Sequence, residues 1–410
     1  MISPELCIKC KGKLLCGLSK CPILEKSSKQ TKIVSTIKDN NFFGASPPGF
    51  FVSWQNYPNV AVAPLSALPD EISDISDSPE KWYGIDQEKI ISFRESLLRS
   101  YKSMPVSSAS NPNYELLDLQ ELAMAEKSFE VQVNLSSKPK SETKFDSFSA
   151  PMGPSAKLDK INLIENPRVP KKLDYYTSDT EVKSNTALIE LFEDGFPVST
   201  LAKVLSSGAL GVKKNRKIVP TRWSITGVQD NIGKYLIDKI KEYSVIDSIQ
   251  IFEDTYLDNH FIIMLLPKPW SFEQLEVWVP GSIWNMEKDS SKIKIYHDHE
   301  MFEGMKGYAN EVTGAYYAVR LPIVEYLREK KKQAMVVVFR EIGDGYKLPL
   351  GSWVCGSTTK AAMQKQPKVF SNVELALEFI GKRLKVPINK WKKASVVLDY
   401  YNKQKTLFDF

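Results

Sequence analysis

The feature that most constrains the fold is a cysteine cluster at the start of the chain, where four of the five cysteines fall within the first 21 residues. Their spacing, Cys-x2-Cys-x5-Cys-x4-Cys, brings four thiolates into one short segment and suits a tetrahedral zinc ion. In an intracellular chain, such a cluster indicates metal binding rather than disulfides. An iron–sulfur cluster is the alternative, because a Cys-Pro pair also ends some ferredoxin motifs. We therefore expect a closed, structural zinc site with the ligands Cys7, Cys10, Cys16 and Cys21.

The composition is that of a large globular protein. With 410 residues, of which 42% are hydrophobic and 25% charged, the chain can bury a sizeable core. Its longest apolar run, residues 261–266, has the length of a strand and is too short to cross a bilayer. The N-terminus has no signal-peptide character, so we expect a cytoplasmic protein without membrane contact. The net charge of +6 is mild, so affinity for nucleic acid would have to come from a local basic patch.

Apolar periodicity predicts both helices and strands. A β-hairpin is expected around residues 57–59, and helices over residues 87–102, 306–331 and 388–401. We predict an α+β fold with a mixed, largely antiparallel sheet, flanking helices, an N-terminal zinc knuckle and a flexible C-terminal tail. The expected regions are the zinc knuckle (1–30), an α+β core region (31–275), a second α+β region packed on that core (276–398) and the tail (399–410).

A basic segment precedes a predicted helix in the middle of the chain. Pro220 ends an extended piece, and Ser224 or Thr226 is expected to cap the helix that follows. Basic side chains before a helix N-terminus favour phosphate binding, and an indole can stack on a base. The alternative is a solvated basic loop with the tryptophan in the core and the last arginine in an internal ion pair. The candidate phosphate- or nucleic-acid-binding residues are Lys213, Lys214, Arg216, Lys217, Arg222 and Trp223.

Two groups of titratable residues are weak catalytic candidates. His297 and His299 would point to the same face of a strand and could share a metal ion, although a polar turn would explain them equally well. Asp179 and Glu181, near Asp174, could hold Mg²⁺ for phosphodiester chemistry, although helix capping is the simpler explanation.

Two single residues are expected to be structural. His260 lies in an apolar strand and is expected to be a core histidine. Cys355 is expected to be a small buried residue, because the sequence identifies no base that would activate it as a nucleophile.

The last seven residues, Gln-Lys-Thr-Leu-Phe-Asp-Phe, form an amphipathic tail. The pattern Gln-x-x-Leu-x-x-Phe resembles the PIP box, the peptide by which replication and repair proteins dock on the sliding clamp PCNA. In that motif the glutamine fills a small polar pocket, and the aliphatic and aromatic side chains fill a hydrophobic one. The usual second aromatic at the eighth position has no counterpart here, and we expect Phe408 to supply the missing apolar area. The alternative is a tail that folds back on its own core; the candidate clamp-binding residues are Gln404, Leu407, Phe408 and Phe410.

Several stretches together resemble one family, the archaeal Nre proteins. They are the cysteine knuckle, Tyr-Pro-Asn-Val at 57–60, Pro-Thr-Arg-Trp-Ser-Ile-Thr at 220–226, Trp-Val-Pro-Gly-Ser-Ile-Trp at 278–284 and the tail. The resemblance covers essentially the full length and implies a DNA repair factor that works with PCNA. We expect this factor to contact DNA or another repair protein. It implies no particular biochemical activity. A nucleotide- or nucleic-acid-processing enzyme, such as a nuclease or hydrolase that uses a bound nucleotide or Mg²⁺, and a noncatalytic repair adaptor remain the alternatives.

Overall fold

The computed structural model describes residues 10, 13–15, 17, 19, 21, 30, 34–35, 37, 40–68, 75–141, 152–280, 282, 285, 293–346 and 348–403. The chain divides into two compact units, which we call the N-terminal unit (Cys7–Ile232) and the C-terminal unit (Gly233–Phe410). Among the described residues, each unit contains a six-stranded sheet whose strand pairs are mostly antiparallel, together with several helices. The predicted α+β class is thereby confirmed.

The N-terminal unit is built on a sheet with one parallel strand pair. Its strands are β1 (Asn41–Ser46), β2 (Phe50–Val52), β3 (Asn59–Ser66), β4 (Leu98–Pro105), β5 (Phe129–Leu135) and β6 (Ser155–Leu163). They are ordered β1-β5-β6-β4-β3-β2, and β4 with β6 is the parallel pair. Strands β2 and β3 form the predicted hairpin.

Helices cover this sheet and complete its core. They are α1 (Gln87–Glu95), α2 (Tyr114–Met124), α3 (Lys171–Ser178), α4 (Ser184–Glu193), α5 (Val198–Ser206) and α6 (Thr221–Ile240), which contains the division between the units. Helix α2 begins where the Asn113 side chain accepts the backbone N–H of Leu116, as a good N-cap residue does. Its leucines at 116, 119 and 122 share one helical face and are fully buried in the cluster that contains Val131 and Val133 of β5.

The C-terminal unit has a sheet with helices on both faces. Its strands are β7 (Ile249–Tyr256), β8 (Asn259–Leu266), β9 (Ser271–Trp278), β10 (Tyr296–Glu300), β11 (Met335–Ile342) and β12 (Lys368–Phe370), in the order β10-β9-β11-β8-β7-β12. Its other helices are α7 (Gly314–Lys330), α8 (Trp353–Met363), α9 (Val373–Gly381), α10 (Ile388–Ala394) and α11 (Val396–Lys403).

Side chains alternate between the two faces of the sheet along each strand, so their contacts show which face each helix covers. Phe272 of β9 packs edge-on against Tyr316 of α7, whereas Phe339 of β11 packs against Trp391 of α10 on the other face. Every residue of β11 is buried, as expected for a strand covered on both sides. Strand β10 is an edge strand, and its only partner among the described strands is β9.

Three predicted helices have different bounds. The helix expected over residues 87–102 ends at Glu95, and residues 98–105 form strand β4. The helix expected from residue 306 begins at Gly314, after the Asp298 carboxylate has accepted the backbone N–H groups of residues 310–312. The helix expected over 388–401 is two helices separated at Ser395.

Candidate functional site

An exposed aromatic pair lies at the surface of the N-terminal unit. Trp223, in the first turn of α6, is 47% exposed, and Tyr57, in the turn between β2 and β3, is 49% exposed. Their ring centroids are 5.3 Å apart with an interplanar angle of 53°. Aromatic rings that are half exposed keep one part of their surface available for stacking, so this pair is a candidate binding surface.

Hydrogen bonds fix the two segments that carry these rings. The backbone N–H of Val52, just before the turn, donates to the hydroxyl of Thr221 over 2.8 Å. The carbonyl of Pro58, just after Tyr57, accepts the N–H of Val106 over 2.9 Å. The backbone segments that carry the two rings are therefore held in place by hydrogen bonds outside the rings.

The predicted basic residues separate into two kinds. Four of them are exposed and have no ion-pair partner among the described residues. They are Lys213, Lys214, Lys217 and Arg222.

Arg216 has a structural role. Its guanidinium is half-buried and donates three hydrogen bonds of 2.8 Å, to the carbonyls of Gly211, Thr177 and Asp179. These bonds tie the basic segment to the end of α3 and use three of the five N–H donors of the guanidinium.

Replacing Arg216 should therefore affect stability, and replacing Lys214 should not. We expect Arg216→Ala to lower the free energy of unfolding by about 1.5–3 kcal/mol, because charge-assisted hydrogen bonds are lost and buried carbonyls lose their donor. Lys214→Ala is the matched control and should change it by less than about 0.5 kcal/mol. Urea denaturation followed by circular dichroism measures both, and equal stabilities would contradict the assignment.

The start of α6 differs from the predicted capping. Thr221 is already helical, so Ser224 and Thr226 lie inside the helix and do not cap it. The hydroxyl of Ser224 donates back to the carbonyl of Thr221 over 2.9 Å, and that of Thr226 to the carbonyl of Arg222 over 3.3 Å. Back-bonding of this kind is typical of these residues within helices.

The carboxylate of Asp179, between α3 and α4, stabilises the local turn. Oδ1 of Asp179 accepts the backbone N–H groups of Glu181 (2.8 Å) and Val182 (3.2 Å). Glu181 itself is exposed. Within the described residues, neither belongs to a group of three side chains spaced for a metal ion.

His297 and His299 do come together, and a buried carboxylate joins them. His299 is paired with Glu273 across β10 and β9, so both histidines and Glu273 share one face of the sheet. The two rings are nearly parallel, with centroids 6.1 Å apart. Nδ1 of His297 lies 3.2 Å from Oε1 of Glu273, and the adjacent carboxylate raises the pKa of His297.

The two remaining candidates differ in burial. Cys355 is buried as expected, and burial raises the pKa of its thiol to about 11, which keeps it protonated and unreactive at neutral pH. His260 is only half-buried, at the start of β8, and lies 3.9 Å from Glu253. Burial lowers the pKa of His260, which favours its neutral form.

Part of the cysteine segment is described. Cys10 is buried, and its Sγ accepts the backbone N–H of Leu15 over 3.3 Å, the kind of contact that stabilises a thiolate. Gly17 has a φ of +78°, which explains a glycine in this turn. Cys21 is half-buried, whereas Cys7, Cys16 and the tail at 404–410 lie outside the described residues.

The sequence did not identify two residues of these sites. Tyr57 could have been found, because a turn containing proline and asparagine places its side chains at the surface. Glu273 carries no such signal, because its neighbours become apparent only from the register of β10 against β9.

Of the helices described, none is both long and apolar enough to traverse a bilayer.

Comparisons with known proteins cover nearly the whole chain. The family "Archaeal Nre, N-terminal" matches residues 15–285, and "Archaeal Nre, C-terminal" matches residues 300–410. The DNA repair protein NreA of Archaeoglobus fulgidus is 38% identical over 381 residues, covering 92% of this chain and 93% of that protein. The DNA repair protein NreB of the same organism is 33% identical over 406 residues, covering 98% and 99% respectively. The DNA repair protein NreA of Haloferax volcanii is 33% identical over 341 residues, covering 82% of this chain and 81% of that protein. No solved structure matches the chain.

Proposed function

The chain belongs to the archaeal Nre family, and from that membership we propose that it acts in DNA repair. Three relatives match the chain over most of their length, and each is named a DNA repair protein. In this proposal the N-terminal unit holds DNA on the surface formed by Tyr57, Trp223 and Arg222, and the tail at 404–410 recruits the protein to the PCNA clamp. The observation that carries the DNA-binding part is the exposed Tyr57–Trp223 pair, with Arg222 next to Trp223 in the chain and without an ion-pair partner among the described residues.

Single-stranded or locally opened DNA is the form that this surface suits best. A ring can stack on a base only when that base is accessible, and each such stack contributes about 1–3 kcal/mol. Exposed lysines and arginines add phosphate neutralisation, which is independent of sequence and weakened by salt. Acidic residues nearly balance basic ones over the whole chain. Within the part of the chain that the structure describes, Lys213, Lys214 and Arg222 have no ion-pair partner, and this local feature matters more than the net charge of +6.

Trp223→Ala should therefore weaken binding to single-stranded DNA. Losing one stacking platform should raise the dissociation constant by roughly 5- to 150-fold, the equivalent of about 1–3 kcal/mol. Fluorescence anisotropy with a labelled oligonucleotide measures this. Tyr114→Ala, which removes a more exposed aromatic ring of the same unit (88%), is the matched control and should bind like the wild type.

The same titration repeated over a salt series tests the basic side chains. Arg222→Ala should reduce the magnitude of the salt slope by about 0.7, as expected when one phosphate contact to a single strand is lost. Unchanged affinity of Trp223→Ala together with an unchanged slope of Arg222→Ala would place DNA elsewhere on the protein.

The metal and clamp parts of the proposal rest on the sequence motifs. The N–H donated to Cys10 Sγ supports a thiolate in the knuckle, as zinc ligation requires. We propose that zinc holds the knuckle together and that Gln404, Leu407, Phe408 and Phe410 dock on PCNA.

A further inference from the structure

We propose that Glu273, His297 and His299 form a binding site for a divalent transition-metal ion of the zinc type. This site lies in the C-terminal unit and does not depend on the proposed DNA-binding surface or on the cysteine knuckle. One donor atom from each of the three residues lies within 4.8 Å of the others. In the described part of the chain, no other group of three or more such side chains meets that condition.

The separations fit ligands around one small ion. Zinc bonds of about 2.0–2.1 Å at tetrahedral angles place ligand atoms roughly 3.3 Å apart. Nδ1 of His297 and Oε1 of Glu273 are already 3.2 Å apart. The rings of His297 and His299 are nearly parallel, and one nitrogen of His299 lies within 4.8 Å of the ligand atoms of the other two residues.

Glu273 is oriented as a ligand would need to be. Its side chain is fully buried, and its two oxygens accept hydrogen bonds from the backbone N–H groups of Val396 (2.9 Å) and Val397 (3.2 Å) and from the hydroxyl of Ser395. These donors belong to the start of α11, which is anchored on β9 in this way. Outer contacts of this kind fix the orientation of a metal-binding carboxylate.

A helix cap explains the hydrogen bonds that Glu273 accepts, and an ion pair with Glu273 is the alternative explanation for the position of His297. In a retained histidine–carboxylate pair, the ring N–H would point at the oxygen. Here Nδ1 of His297 is shielded from solvent, and at 3.2 Å it is within ion-pair distance of Glu273 yet has no directed hydrogen bond among the described residues. An ion between the two atoms would satisfy both.

The donor set selects the class of metal. Two imidazoles and one carboxylate suit zinc, cobalt or nickel, whereas magnesium and calcium favour oxygen ligands throughout. Three protein ligands leave a fourth position open to a further ligand. The ion would add a link between the edge strand β10 and its neighbour β9.

Cobalt(II) titration of the full-length protein tests the site. Nitrogen and oxygen ligands give visible d–d bands, whereas any cobalt on the cysteines also gives sulfur-to-cobalt charge transfer, so the two classes of site can be separated. We expect His299→Ala to lose the bands of the nitrogen–oxygen site, with affinity there at least about 10-fold weaker, and to keep the charge-transfer bands. His260→Ala, the remaining histidine of the three in the chain, is the control and should titrate like the wild type.

A second measurement avoids any effect of the variants on folding. Because the wild-type protein has three histidines, its imidazole NMR signals are few, and added zinc should shift two of them and leave the third. Zinc that shifts none of them, or His299→Ala that keeps the nitrogen–oxygen bands, would overturn the proposal.

Discussion

Replacing Arg320 with leucine should lower the free energy of unfolding of the C-terminal unit by about 3–5 kcal/mol. Arg320 of α7 and Glu300 of β10 form an ion pair of 2.7 Å in which the side chains are only 1% and 3% exposed. Glu300 also accepts the indole N–H of Trp270 over 3.2 Å. Removal of the arginine would leave the buried carboxylate of Glu300 without its cationic partner.

Two further variants serve as controls for this prediction. Lys382→Ala removes an exposed ion pair of the same length, 2.7 Å, with Glu378 and should cost less than about 0.5 kcal/mol, because solvent screens such pairs. The double variant Arg320→Leu, Glu300→Leu should recover much of the loss, since a buried pair can often be replaced by apolar side chains at little cost. Urea denaturation followed by the fluorescence of the buried Trp270 and its fellow tryptophans measures all three. Equal effects of Arg320→Leu and Lys382→Ala would show that the buried pair is no stronger than a surface pair.

Deletion of residues 404–410 should abolish clamp binding, with a loss of at least about 100-fold in affinity for PCNA. Binding energy at such an interface concentrates in a few apolar anchors, here Leu407 and Phe410, and the deletion removes them together. Helix α11 ends at Lys403, so the truncation leaves every described helix intact. Calorimetric titration with an archaeal PCNA measures the effect.

Point variants within the tail distinguish PIP-like binding from nonspecific hydrophobic binding. Gln404→Ala and Leu407→Ala should each weaken binding, whereas Lys405→Ala, which alters no anchor of the motif, should leave it nearly unchanged. A synthetic peptide of residues 404–410 should compete with the full-length protein. Clamp binding that survives the truncation would assign recruitment to another part of the chain.

The sequence predicts local structure well where one short pattern decides it. The hairpin of β2 and β3 was predicted because turn residues separate two apolar runs, and both strands lie where expected. Residues 98–102 were predicted as helix because Leu97 and Leu98 continue a helical spacing. In the fold, Leu98 pairs with Ser66 of β3 and Arg99 with Ser155 of β6, and these distant partners decide the conformation.

Contacts between distant parts of the chain also limit what the sequence predicts about the sites. Arg216 and Lys217 are adjacent basic residues that sequence patterns cannot tell apart, yet the carbonyls around Arg216 give it a structural role. For the histidines, the two-residue period predicted a common face, and β10 confirms it. Glu273 could not be added from sequence, because a charged residue within a strand is ordinarily expected to face solvent.

The hydrogen bond from Val52 to Thr221 has a consequence for when this protein can engage DNA. It joins segments 169 residues apart, so the Tyr57–Trp223 surface exists only after most of the N-terminal unit has been synthesised and folded. A growing, truncated or partly unfolded chain would display the two rings far apart and would lack the paired platform. In the proposed function, stacking by both rings would therefore require that the N-terminal unit is folded.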